Sequence, residues 1–247
     1  MARVTTEIRD HVAHVTLTRA DKMNAVDPDM AQAIVDAGEA LIGNEDIRAV
    51  LLSGAGKGFC AGLEVASFGK HASGGDQTDR IVARTHGASN LMQRVATVWR
   101  DVPVPVIAAV QGVAFGAGFQ LALGADVRIA APGTKFAVME AKWGLVPDMG
   151  GMVLMRHLAR GDVIRELTYS GRIFDGEEAL RLGFATRVCT DPLAEALALA
   201  RDIATKSPTA IRGAKRLIEL AETPADQHEI LKVESAEQGA LIGSANQ

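Results

Sequence analysis

The alternation of apolar and polar stretches divides the chain into short strands and helices in its first half and helices alone towards its end. Residues 4–8 and 12–17 are β-prone runs joined across Arg9-Asp10-His11, which predicts a hairpin. Residues 28–42 predict a helix, with Asp27 as N-cap, Pro28 in the first turn, and Met30, Ile34 and Leu41 recurring on one side. Residues 47–52 predict a strand that ends in the glycine-rich turn 53–58 and leads into Phe59-Cys60-Ala61-Gly62-Leu63. The polar, glycine-containing stretch 69–80 reads as a mobile surface segment. Residues 87–100 predict a helix with Leu91, Val95 and Val98 inward. A buried strand at 105–110, a second glycine loop, a small-residue helix at 117–123 and a strand at 126–130 follow. Beyond residue 150 the pattern is helical, at 151–159, 163–169 and 176–182 and then in three longer helices from Pro192, Pro208 and Ala225. One short strand at 185–189 interrupts it. Strand, helix, strand, glycine loop, helix is the order of an α/β fold, and no fixed-period repeat points to a solenoid.

Composition narrows the class. A chain of 247 residues fits one large domain or a domain with a small appendage. Aromatics are only 4%, so the core must be packed from Ala, Val, Leu, Ile and Met. The net charge of −4 is mixed along the sequence, with no basic block of nucleic-acid type. Cys60 and Cys189 stand in unrelated contexts and the start lacks an apolar leader, so a reducing, cytoplasmic setting is expected. The apolar stretch 102–125 is broken by Pro103, Pro105, Gln111 and several glycines, which suits a strand, loop and helix rather than a membrane span. Six scattered histidines offer no paired metal-ligand spacing, so no metal is expected.

Two glycine loops are the chemical candidates. A strand followed by a glycine turn can point unpaired backbone N–H groups into a cleft, or can simply be a turn. Gly54, Gly56 and Gly58 have the wrong spacing for a dinucleotide fingerprint, and no Gly-Lys-Ser/Thr closes either loop as a P-loop requires. Two such loops from separate strands could set two N–H donors around one oxygen, and their small side chains leave the backbone accessible.

Five stretches together resemble the enoyl-CoA hydratase/isomerase (crotonase) family over nearly the whole chain. They are residues 19–26 (RADKMNAV), 58–64 (GFCAGLE), 105–112 (PVIAAVQG), 116–122 (GAGFQLA) and 144–148 (GLVPD). The resemblance implies a repeated ββα spiral core over residues 1–190 and a C-terminal helical region, 191–247, used for assembly as a homo-trimer or dimer of trimers. It implies that the N–H groups of Leu63 and Ala117 bind the oxygen of a coenzyme A thioester. Alanine replaces the family's usual glycine at 117, which does harm only if the backbone there needs positive φ. Residues 22–26, with Ala25, and Cys60, Ala61 and Gly62 would hold the adenine through main-chain groups, with Arg19 and Lys22 near the phosphates. Coenzyme A would arrive as part of a small-molecule acyl-CoA substrate and not as a resident cofactor. Relatives usually continue from a turn like Gly243-Ser244-Ala245-Asn246 into one more helix over the CoA site; either this protein is naturally short there or that helix lies beyond residue 247, and its loss would weaken CoA binding and the oligomer.

Gln120, Glu140 and Asp148 fall at the family's variable catalytic positions. Gln120 and Glu140 match the two glutamates of a typical hydratase, but a glutamine neither takes nor gives a proton at useful pH. Glu140 lies among apolar neighbours near Trp143, which should raise its pKa; the alternatives are a pair with Lys142 or an exposed helix edge. Asp148 reads equally as an N-cap or as the aspartate that dienoyl-CoA isomerases and 4-chlorobenzoyl-CoA dehalogenases carry there. Dienoyl-CoA isomerases combine it with a glutamate matching Glu140 and an aspartate at position 120. The dehalogenase tryptophan would fall where Glu140 stands, which disfavours that branch. The expected chemistry is double-bond isomerisation of an unsaturated acyl-CoA, with 2-enoyl-CoA hydration and a catalytically degenerate acyl-CoA-binding protein as alternatives. Phe68 and Trp143 are expected to line the acyl pocket or core, and Cys60 to pack.

Overall fold

The computed structural model describes residues 2–64 and 81–246, so the polar segment 69–80 and Phe68 lie outside the described residues. The expected hairpin forms as β1 (Val4–Arg9) and β2 (Val12–Leu17), antiparallel, turning at Asp10 and His11 with positive φ. β3 (Ala49–Gly54), β4 (Val106–Val110), β6 (Val127–Ala130) and β8 (Arg187–Val188) then add in parallel, giving the order β1-β2-β3-β4-β6-β8. Two strands that the sequence reading did not separate from their surroundings, β5 (Val113–Phe115) and β7 (Lys135–Ala137), form a parallel two-stranded sheet of their own.

Apolar runs in β3 and β4 are unbroken because both faces of the sheet are covered. Val50, Leu52, Val106, Ala108 and Val110 face one cluster. That cluster includes Met30 and Ile34 of α1 (Pro28–Ile42) and Val95, Val98 and Trp99 of α2 (Leu91–Asp101). Leu51, Ile107 and Ala109 face the other cluster, against α7 (Pro192–Ala204). Ala196, Ala200 and Ala204 recur every four residues on that helix, and the small stripe lets it lie close on the sheet. α2 starts later than residue 87 because Asn90 and Gln93 form a reciprocal capping box, with residues 86–89 in a turn before it. α8 (Pro208–Ala221) is pinned by Lys215, whose buried ammonium donates to Asp126 and to the Trp99 and Val104 carbonyls. α9 (Gln227–Leu241) packs on α8 and buries none of its residues.

Candidate active site

The first glycine turn leaves the end of β3 and the second leaves β4, and the two are zipped together by backbone bonds. Phe59 and Cys60 donate to the Gln111 and Val113 carbonyls at 2.9 and 3.0 Å, and Phe115 donates back to Cys60 O at 3.1 Å. This contact requires glycine: a Cβ at Gly112, where φ is +66°, would stand 1.9 Å from Lys57 O, and one at Gly118 would stand 2.2 Å from Cys60 O. Phe119 fixes α3 (Ala117–Leu123) from the far side, its ring 6.1, 5.8 and 5.3 Å from those of Phe136, Phe174 and Phe184.

Beyond Cys60 the chain meets Val26 in an isolated parallel bridge. Val26 N–H donates to Gly62 O at 2.8 Å and Glu64 N–H donates to Val26 O at 2.9 Å. In a parallel bridge of that pattern both bonding groups of Val26 are used, while the N–H of Leu63 points the opposite way. On that opposite side lies the second loop: a Cβ at Gly62, which has φ of +100°, would be 2.8 Å from Phe115 O and 3.9 Å from Ala117 N. Ala117 is the first residue of α3, so its N–H has no partner within the helix. Neither amide donates to a backbone carbonyl among the described residues. Positive φ falls on Gly116, at +47°, and not on Ala117, so alanine is accommodated at 117. Ala61, Gly62, Leu63, Gly116, Ala117, Met139, Glu140 and Trp143 line one cleft of about 100 Å³.

Glu140 reaches the cleft through the second sheet. β7 pairs with β5, Gly116 donates to Ala137 O at 3.0 Å, and Glu140 opens a single 3₁₀ turn, residues 140–143, closed by Gly144 in the left-handed region. Its side chain is buried over Gly116, with Oε1 3.2 Å from where a Cβ at that glycine would sit. Oε1 accepts from Gln120 Nε2 at 2.6 Å, and Oε2 is buried with no partner among the described residues. Burial pushes the Glu140 carboxyl above the usual range and the nearby Asp148 charge pushes the same way; backbone N–H groups and the Gln120 amide pull it back. Neither the pair with Lys142 nor the exposed helix edge is found. Asp148 is exposed, with a carboxyl raised by partial desolvation, and it caps no helix: the N-cap of α4 (Gly151–Met155) is Gly150.

The residues expected around the nucleotide divide. Ala61 and Gly62 bond to the 23–26 stretch that holds Ala25, through Ala61 N–H to Met23 O at 2.9 Å and Val26 N–H to Gly62 O, while Cys60 bonds to the second loop at Val113 and Phe115. Lys22 is exposed on the 3₁₀ turn Ala20–Lys22. Arg19 is committed inside the protein: its guanidinium meets both oxygens of Glu64 at 3.0 Å, Asp27 at 3.2 Å and the Ala25 carbonyl at 3.1 Å. Charge complementarity made Arg19 a phosphate candidate, and the nearer carboxylates take that charge. Cys60 is fully buried and its thiol is pushed up to about 12 by desolvation, which makes it inert packing. Asn24 went unnoticed in the sequence. It is fully buried in the left-handed region, and its Nδ2 donates to the Ala55 and Gly58 carbonyls, tying the loop around Lys22 to the first glycine turn. An asparagine after a basic turn is the one signal that could have flagged it. No cluster among the described residues could hold a metal ion, and no helix among them is long and apolar enough to cross a membrane.

Residues 7–246 match the family model for enoyl-CoA hydratase/isomerase. The chain is 34% identical over 226 residues to a probable enoyl-CoA hydratase of Mycobacterium tuberculosis, covering 90% of this chain and 85% of that protein. It is also 34% identical over 216 residues to the mitochondrial Delta(3,5)-Delta(2,4)-dienoyl-CoA isomerase of Mus musculus, covering 85% of this chain and 66% of that one. Among solved structures, a putative enoyl-CoA hydratase/isomerase from Mycobacterium abscessus superposes with a TM-score of 0.90 at 27% identity, over 98% of this chain and 92% of that chain. A putative enoyl-CoA hydratase from Streptomyces coelicolor superposes with a TM-score of 0.88 at 30% identity, over 98% and 87%. The α/β architecture expected from the resemblance is the one found.

Proposed function

The chain belongs to the enoyl-CoA hydratase/isomerase family, and on that premise we propose that it moves the double bond of an unsaturated acyl-CoA through a thioester enolate. The N–H groups of Leu63 and Ala117 bind the thioester oxygen. Glu140, as carboxylate, removes a proton from carbon 2 of a 3-enoyl-CoA. The C–H pair becomes the carbon 1–carbon 2 double bond, and the thioester oxygen takes the negative charge. The protonated Glu140 returns that proton to carbon 4, and the pair shifts to leave the 2-enoyl product; for delivery to a more distant carbon, Asp148 would first take the proton from Glu140. Charge develops on that oxygen only as the proton leaves, so preorganised donors lower the barrier instead of only tightening binding. Each such donor is worth roughly 3–4 kcal/mol where it has been removed from other enzymes.

The observation that carries the reading is one buried carboxylate oxygen, Glu140 Oε2, with no partner among the described residues, beside a cleft also lined by Leu63 and Ala117, neither of whose N–H groups donates to a backbone carbonyl among those residues. A raised pKa supports the double duty of base and acid. Trp143 and Leu145, both exposed at the same cleft, supply apolar surface for an acyl chain, and of the two basic residues expected near the phosphates Lys22 is the exposed one. Exposed Val146 and Val153, together with the thinly packed α9, leave apolar surface that assembly as a homo-trimer or dimer of trimers would cover.

Hydration of 2-enoyl-CoA is the second reading, favoured by retention of Glu140 and by the hydratase name of a relative. It needs a second group to manage the water, and Gln120 is already held at both ends. Purified protein assayed with 3-enoyl-CoA and 2-enoyl-CoA separates the two. Isomerisation of the first is expected, lost in Glu140→Gln. Hydration of the second with no turnover of the first contradicts the isomerase reading.

A further inference from the structure

Gln120 is buried, and both ends of its amide are engaged. Its Oε1 accepts from Met149 N–H at 2.9 Å and from Gly151 N–H at 3.0 Å. Turning the amide over would set its NH₂ group against two N–H donors, so its orientation is fixed. Nε2 therefore faces Glu140 Oε1, at 2.6 Å, and donates to it. Glu140 Oε1 can then only accept. Any proton on Glu140 sits on Oε2, the oxygen without a partner among the described residues.

We propose that Gln120 is a positioning residue that makes Glu140 a one-oxygen base, in which Oε1 stays an acceptor and Oε2 alone takes and returns the substrate proton. The inference rests on the enolate reading above and deepens it. The clamp acts on more than Glu140. Met149 lies in the loop that carries Asp148 and Gly151 opens α4 directly after it, so one amide ties the base to the segment that bears the neighbouring carboxyl. Gly151 allows this approach, since a Cβ there would stand 2.6 Å from Gln120 Oε1. Asp148 is the other ionisable group acting on Glu140 among the described residues, and Lys142, on the same turn, lies instead along Gly171. A glutamate at position 120 would behave differently. Ionised, it would press a second negative charge on Oε1; protonated, it would supply the second acid that water addition uses. Gln120 thus makes the site selective for moving one proton within a substrate over adding water to it.

The test is the pH dependence of kcat/KM for wild type, Gln120→Met and Gln120→Glu, on whichever acyl-CoA the wild type turns over. Gln120→Met removes the donor to Oε1, and Gln120→Glu sets a like charge there while keeping an acceptor for both backbone N–H groups. Glu140 must start ionised, so the acidic limb should move to higher pH in both variants, in Gln120→Glu by about one unit or more. KM should change less than kcat. Hydration of 2-enoyl-CoA should rise in Gln120→Glu relative to isomerisation. If Gln120→Met fails to fold, Gln120→Glu still decides. A limb that stays at its wild-type pH in a folded variant, whatever the loss in kcat, overturns the proposal and leaves Gln120 as packing. A wild type that hydrates and does not isomerise overturns the isomerase reading instead, and the limb shift can still be read on hydration.

Discussion

Glu140, the proposed base, carries a structural cost. Its carboxyl is buried, and burial opposes ionisation more strongly than the Gln120 donor favours it, so its folded pKa lies above the unfolded one. Such a group supports the fold while protonated, below its unfolded pKa, and that support is lost as pH rises through the raised folded pKa. Glu140→Gln carries no charge to desolvate. The variant should therefore melt above wild type at pH 8, and the difference should shrink towards pH 4 while activity is lost throughout. Thermal unfolding across that range checks it; a Glu140→Gln protein less stable at pH 8 than at pH 4 relative to wild type contradicts the burial argument. The sequence carried Glu140 well, because its apolar neighbours forecast desolvation. It did not display the hold of Glu64 on Arg19 or the tie from Asn24 to the first glycine turn, since those partners lie 31 to 45 residues away, where no local pattern reaches.

At the scale of elements, the candidate cleft exists because two loops that leave neighbouring strands touch backbone to backbone. Gly118 is the sharpest check. Its own φ is ordinary, so alanine there is opposed by space alone, with a Cβ 2.2 Å from Cys60 O and 2.8 Å from Cys60 Cβ. Gly118→Ala should cost about 1–3 kcal/mol in denaturant unfolding. It should also lower kcat more than the stability loss explains, because the displaced Cys60–Leu63 stretch carries one of the two amides. Full activity in a destabilised Gly118→Ala protein would detach that amide from the chemistry. Helices were the readable part of the sequence. The 28–42 and 176–182 helices begin after Asp27 and Asp175, whose side chains cap them, and each is found at the expected residues. β5 and β7 were not readable, being three residues each and paired only with one another across the chain. The strand expected at 185–189 shortens to Arg187–Val188 because only two residues there pair with β6.

For the whole molecule, a doubly covered parallel sheet carries two glycine loops on one side and a small second sheet delivers Glu140 beneath them. Fold and family were legible because five spaced stretches had to be present together for that architecture to close. The hold on Glu140 was less legible, since it turns on how one glutamine side chain is oriented by backbone atoms later in the chain. What the arrangement does with a substrate is read most directly by following the hydrogens of carbon 2. With 3-enoyl-CoA deuterated at carbon 2, wild type should carry deuterium to carbon 4 of the 2-enoyl product or lose it to water, and Glu140→Gln should do neither. Turnover by wild type that leaves both deuteriums on carbon 2, or equal transfer and loss in Glu140→Gln, would contradict an enolate formed by that carboxylate.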